Sequence, residues 1–155
     1  MTPDALIGVC GAGAMGVGIA EVAARAGHKV VVFDAVPASL ARGAETLRKG
    51  LDAQVARGKL AAGEADAIAG RINWAERLAA LAPAALIIEA IIEDASAKKS
   101  LFADLERAAP AAVLATNTSS LSVTALAAGL RRPDRFLGLH FFNPVPVMGL
   151  IEVIP

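Results

Sequence analysis

Short runs of consecutive apolar and β-branched residues alternate along the chain with longer alanine-rich stretches in which apolar positions recur every three or four residues. The short runs predict seven strands, at residues 6–10, 29–34, 72–74, 86–92, 113–116, 136–140 and 150–154. Those at 29–34 and 86–92 are almost unbroken in apolar residues, the pattern of strands covered by helices on both faces. Strands alternating with helical segments imply α/β units in a doubly wound, mainly parallel sheet. Between the second and third strands, Leu40, Ala44, Leu47, Leu51 and Val55 fall at helical spacing, and the interval up to Arg71 predicts a helical hairpin whose arms part at Arg57-Gly58-Lys59. With no internal repeat, low-complexity tract or linker, residues 1–155 are expected to form one domain.

Composition narrows the partners. The 15 basic and 15 acidic residues cancel, so no overall field draws the chain to nucleic acid or an anionic membrane, and any anion has to be bound locally. The single cysteine, Cys10, has no partner for an internal disulfide, which suits a reducing cytoplasm, and it reads most simply as a small buried hydrophobe. The uncharged segment 5–20 resembles a signal-peptide core only superficially. Asp4 precedes it where a basic residue belongs, glycines interrupt it, and it is shorter than the roughly 20 residues a membrane-crossing helix needs. A soluble, cytoplasmic protein without a targeting segment is expected, and no metal site is predicted.

Candidate chemistry begins directly after the first strand, where Gly11-Ala-Gly13-Ala-Met-Gly16 opens a helix running to about residue 26. In this context Gly11 permits a tight turn, Gly13 lets the backbone approach a pyrophosphate, and Gly16 lets helix and strand pack closely. The phosphates then meet the free N–H groups and positive dipole end of the helix. Taken alone, the motif also fits a plain glycine-rich turn. Asp34, 18 residues beyond Gly16 at the end of the second strand, adds a carboxylate placed to accept ribose hydroxyls and repel a 2′-phosphate. A Rossmann-type domain binding NAD in preference to NADP follows. The competing role for Asp34 is a helix N-cap ahead of Pro37.

Two later segments, Thr116-Asn-Thr-Ser-Ser-Leu and Gly138-Leu-His-Phe-Phe-Asn-Pro-Val-Pro-Val-Met, each follow a predicted strand end, where open α/β sheets carry their ligands. With the glycine motif and Glu89-Ala-Ile-Ile-Glu93 they make the whole chain resemble the N-terminal NAD-binding domain of the 3-hydroxyacyl-CoA dehydrogenases of β-oxidation and related acyl-CoA pathways, the 3-hydroxybutyryl-CoA type in particular. The resemblance implies an oxidoreductase that converts (S)-3-hydroxyacyl-CoA to 3-oxoacyl-CoA with NAD as hydride acceptor. It implies that His140 is the catalytic acid/base, a role suited to an imidazole with an unperturbed pKa of roughly 6.5. Glu152 is implied to orient His140, and Ser119 to hydrogen-bond the reacting oxygen. Cofactor contacts are implied for Gly11, Gly13, Met15, Gly16, Asp34, Glu93, Lys98 and Asn143, the last three at the nicotinamide and substrate end. The bland alternatives for those three are a helix-start charge, a solvated helix face and a turn before proline.

On the hairpin, Lys59, and with it Arg48 or Lys49, is implied to meet CoA phosphates, against the alternative of an ordinary solvated face. One departure is Gly149, where many relatives carry lysine. The resemblance further implies a following helical domain that closes the cleft, supplies an asparagine and forms a homodimer interface, none of which lies in residues 1–155; the fragment alone is therefore expected to be inactive. Two other readings remain at this point. One is a crystallin-like relative that binds nucleotide in a structural role. The other is a dehydrogenase of the 6-phosphogluconate or 3-hydroxyisobutyrate type, which would bring a catalytic lysine and a glycine-rich substrate loop.

Overall fold

A computed structural model describes residues 2 and 4–155. In chain order the elements are β1 (Ile7–Cys10), α1 (Ala14–Arg25), β2 (Val30–Phe33), α2 (Pro37–Ala56), α3 (Ala62–Gly70), β3 (Ile72–Ala75), β4 (Leu86–Glu89), α4 (Ala95–Ala108), β5 (Val113–Thr116), α5 (Val123–Ala127), β6 (Phe136–Phe141) and β7 (Ile151–Ile154). They form one seven-stranded sheet in the order β3-β2-β1-β4-β5-β6-β7, parallel except for the β6–β7 pair. The order reverses between β1 and β4, and at such a switch point the strand ends splay to leave a crevice.

Successive strand residues point to opposite faces, and both faces are covered. Val30, Val32 and Ile88 pack with α1, α2 and α3, while Val31, Ile87 and Leu114 pack with α4 and α5. In the second core Phe102 of α4 meets Phe136 edge to face at 4.8 Å, the preferred arrangement for two aromatic quadrupoles. This two-sided burial is why the strands read as continuous apolar runs.

All seven expected strands are present, together with the hairpin, whose turn places Gly58 at φ +67°. One boundary is corrected. Strand β4 ends at Glu89 and not at residue 92, because the Glu89 carboxylate accepts the Ile91 N–H at 2.8 Å and bends the chain out of the sheet. The long helix α2 seats against the glycine loop through Gly43. A Cβ there would lie 3.0 Å from both the Ala12 carbonyl oxygen and the Trp74 ring, so the small residue lets the hairpin rest directly on the loop. Among the described residues no helix is long and apolar enough to cross a membrane.

Candidate active site

The glycine loop meets the geometric demands its motif implies. Gly11 sits at φ +106°, and a Cβ there would come within 2.5 Å of the Ala90 carbonyl oxygen, so only glycine turns the chain at this point. A Cβ on Gly16 would lie 1.9 Å from the Gly11 carbonyl oxygen, which makes it the contact between α1 and β1. A Cβ on Gly13 meets nothing within 4 Å, leaving open space at the head of α1. That helix start has no side-chain cap and no acid in its first turn, so its free N–H groups point into the space and suit a pyrophosphate.

Asp34 is not a helix cap. The N-cap of α2 is Val36, and the Asp34 carboxylate accepts N–H groups from Ala12 and Val36, both at 2.9 Å. It therefore ties the end of β2 to the glycine loop. Buried Cys10, at the tip of β1, has its thiol pushed well above its ordinary pKa, first by burial and then by the charges of Glu89 and Asp34, so it behaves as an inert apolar residue.

On the other side of the switch point lies a cleft of about 320 Å³ that brings together Met15, Glu93, Lys98, Ser119, His140 and Asn143. His140 on β6 stands opposite Glu152 on β7 in the antiparallel register, with Nδ1 2.7 Å from Oε2. A carboxylate only accepts, so Nδ1 carries the hydrogen and Nε2 is left for the cleft. The Phe142 ring leans on the imidazole at a centroid distance of 4.6 Å and limits its rotation.

Lys98 does not lie on a solvated face. It shares the buried side of α4 with Phe102 and Leu105, is 1 % exposed, and donates to Glu89 Oε1 at 2.5 Å and Glu93 Oε2 at 3.2 Å. Glu89, fully buried, also accepts from the Thr116 hydroxyl at 2.7 Å across the β4–β5 pair. Glu93 in turn gathers the loop after β5, accepting from the Thr118 hydroxyl, the Ser120 hydroxyl and the Ser119 and Ser120 N–H groups. Asn117 closes the frame by accepting the Phe141 N–H at 2.8 Å. Sequence reasoning passed over Thr116, Asn117, Thr118 and Ser120, and gave Glu89 no role. Its available signals were a glutamate ending an apolar strand and a lysine spaced with Phe102 and Leu105 on one helix face.

Partial burial raises the Glu93 pKa, but the hydrogen bonds from Thr118, Lys98 and Ser120 outweigh it and hold the carboxyl at about 2, against an ordinary 4.5. With the folded value depressed, the stabilisation is complete above pH 4.5 and is lost as pH falls toward 2. Solvent screening keeps the effect modest, since the side chain is 39 % exposed. The expected result is that the melting-temperature advantage of the native protein over Glu93→Gln shrinks as pH falls from about 5 to about 2.5. A pH-independent advantage counts against a charged role.

The remaining predicted residues are not in the cleft. Lys59 is exposed at the hairpin turn and is absent from the cleft lining. Arg48 pairs with Asp52 and Asp66, and Lys49 with Glu45, each on the hairpin itself.

An uncapped glycine-rich helix start and a carboxylate at the second strand end, at the switch point of a mainly parallel sheet, define a dinucleotide-binding α/β domain. A family model described as "3-hydroxyacyl-CoA dehydrogenase, NAD binding domain" matches residues 6–155, and the chain belongs to that family; its cofactor is NAD. The chain is 45% identical over 150 residues to a 3-hydroxybutyryl-CoA dehydrogenase of Mycobacterium tuberculosis, covering 96% of this chain and 52% of that protein. It is 46% identical over 149 residues to a 3-hydroxyadipyl-CoA dehydrogenase of Escherichia coli, covering 96% of this chain and 31% of that one. The crystal structure of Mycobacterium tuberculosis FadB2 superposes with a TM-score of 0.93 at 45% identity, over 97% of this chain and 54% of that chain. The chain thus spans about half, or less, of the length of these relatives, and their names give no support to a crystallin-like structural role.

Proposed function

We propose that the protein supplies the cofactor seat and the acid–base pair of an NAD-dependent (S)-3-hydroxyacyl-CoA dehydrogenase. The observation that carries this reading is the His140–Glu152 pair at 2.7 Å, whose His140 lines the same cleft as Ser119 and Asn143. NAD, held by the glycine loop and Asp34, would supply the hydride acceptor for the 3-carbon of the substrate. His140 Nε2 takes the proton of the 3-hydroxyl as that carbon becomes a carbonyl, and returns it in the reverse direction. Glu152 holds the ring by Nδ1 and offsets the positive charge the ring then carries. Ser119, placed by Glu93, donates to the reacting oxygen. Gly11, Gly13 and Gly16 admit the pyrophosphate, Met15 borders the nicotinamide end, and Asp34 receives the adenosine ribose, which favours NAD over NADP.

Because the relatives are longer, we place the rest of the acyl-CoA pocket, the asparagine implied by the family and the homodimer contact outside these residues, and read the whole as a cytoplasmic enzyme of acyl-CoA oxidation. The exposed Val147, Leu150, Ile151 and Val153 form the apolar surface on which a further domain would rest. Lys59 keeps its proposed part toward the CoA phosphates only as an exposed cation at the hairpin turn. The test is to titrate the 155-residue chain with NAD and then assay it with acetoacetyl-CoA and NADH. Binding with negligible turnover is expected, because positioning of substrate against cofactor supplies several kcal/mol of barrier lowering. A rate comparable to that of the full-length relatives would show that the site is already complete.

A further inference from the structure

A second cavity, of about 260 Å³, lies at the edge of the sheet remote from the cleft, where α4 ends and β5 and β6 begin. The two strands run parallel, and Ser119 and His140 belong to their far ends. The floor of the cavity is apolar, with Ala109, Ala112 and Leu114 buried beside Pro110. Its rim carries Arg131, Arg132 and Arg135, and Glu106 is the one acid among the described lining residues. The three guanidiniums are differently engaged. Arg132 grips Asp134 through Nε at 3.0 Å and Nη2 at 2.8 Å. Arg135, half-buried, donates from Nη1 to the Ala111 carbonyl at 2.5 Å and meets no carboxylate among the described residues. Arg131 is exposed and likewise meets none. Glu106 does not answer them, because its two oxygens accept the main-chain N–H groups of Arg131 and Arg132 at 3.0 and 2.9 Å and so anchor the loop. The C-terminal end of α4 draws a cation such as Arg135. It does not account for an apolar hollow beneath two guanidiniums.

Forked donors that meet no acid, set above an apolar floor, suit a ligand with a planar anionic head and a short apolar body. An apolar cavity of roughly 150 Å³ holds benzene, so one of about 260 Å³ has room for roughly six to eight carbons with the head left at the rim. We propose that this cavity binds a straight-chain monocarboxylate of that length, with Arg131 and Arg135 taking the carboxylate and Ala109, Ala112 and Leu114 the chain. It shares no lining residue with the cofactor cleft, and none of the apolar residues exposed between 147 and 153 lines it. The site therefore stands independently of the reaction proposed above.

The experiment is to titrate the isotope-labelled chain with octanoate and follow amide chemical shifts, with saturating NAD present to fill the other cleft. Saturable binding is expected, with the largest shifts at Ala112, Leu114 and the turn at 131–135. Arg131→Gln and Arg135→Gln should each weaken it about tenfold or more, the loss that goes with a hydrogen bond to a charged group. Lys99→Gln, which removes an exposed cation elsewhere on α4, should leave it unchanged. Octanol and inorganic phosphate should each bind about tenfold more weakly than octanoate, since each offers only half of what the cavity recognises. Circular dichroism checks that each variant is folded; should Arg135→Gln fail that check, the exposed Arg131→Gln decides alone. Octanoate bound equally well by the native chain and Arg131→Gln overturns the proposal and moves the binding to apolar surface elsewhere. Octanol or phosphate bound as tightly as octanoate overturns it too, leaving a plain apolar or plain anion site. No saturable binding up to about 10 mM octanoate overturns it outright.

Discussion

His140→Gln, introduced into a protein of the relatives' full length, is expected to lower turnover of (S)-3-hydroxybutyryl-CoA by about 10²–10⁴-fold, the range general acid–base catalysis supplies. Glutamine is close in reach to Nε2 but cannot exchange a proton near neutral pH, so the substrate hydroxyl loses its acceptor. NAD affinity should stay within about threefold (roughly 0.7 kcal/mol), because the glycine loop and Asp34 follow the ends of β1 and β2 while His140 belongs to β6. Glu152→Gln should cost less. Its amide still reaches Nδ1, but it no longer offsets the charge on a protonated ring. Steady-state kinetics and cofactor titration on the same preparations separate the two effects. If His140→Gln keeps more than about a tenth of native activity, the proton passes through another group.

The second large effect is expected at Gly16. Within α1, replacing glycine by alanine gains about 1 kcal/mol of helix propensity. The new Cβ, however, would lie 1.9 Å from the Gly11 carbonyl oxygen. Gly11 cannot yield, since its N–H is bonded to the Phe33 carbonyl at 2.8 Å and its own α-carbon faces the Ala90 carbonyl. The helix start therefore has to move away from the strand, which opens the pyrophosphate seat. Overpacking of this kind costs about 3 kcal/mol at its upper end and outweighs the propensity gain. A melting-temperature drop on the order of 5–10 °C follows for a domain of this size. NAD affinity should fall by about 100-fold or more, as the free N–H groups lose their common focus. Unchanged NAD binding in Gly16→Ala would mean that the pyrophosphate sits elsewhere.

Periodicity located every strand and the hairpin because two-sided burial writes itself directly into the sequence as apolar runs, and the glycine motif was legible because each glycine answers a local steric demand. Glu152 and His140 could be paired only through a family resemblance, since the contact depends on β7 turning back antiparallel to β6. Nothing in a twelve-residue separation dictates that turn. The residues that hold the cleft together were the hardest to see. Lys98 looks like any helix lysine until β4 brings Glu89 beneath it, and Thr116 gains a role only through the strand register that sets it opposite that glutamate. Such contacts are properties of the packed sheet, and single-residue chemistry does not announce them. The overlong β4 has the same origin, because Ala90, Ile91 and Ile92 continue the apolar pattern while a side-chain carboxylate ends the strand.

The chain holds a single tryptophan and no tyrosine. Trp74 lies beside Ala12 of the glycine loop, where Gly43 lets the hairpin press against both. Light absorbed at about 295 nm, the red edge of the indole band, is therefore taken up at one place, against the wall of the glycine loop. The intrinsic emission of the protein is consequently a local optical gauge of that loop, built in without a label. A change in its colour or brightness on adding cofactor reports movement where the phosphates arrive, whereas events confined to the His140 end of the cleft leave it dark.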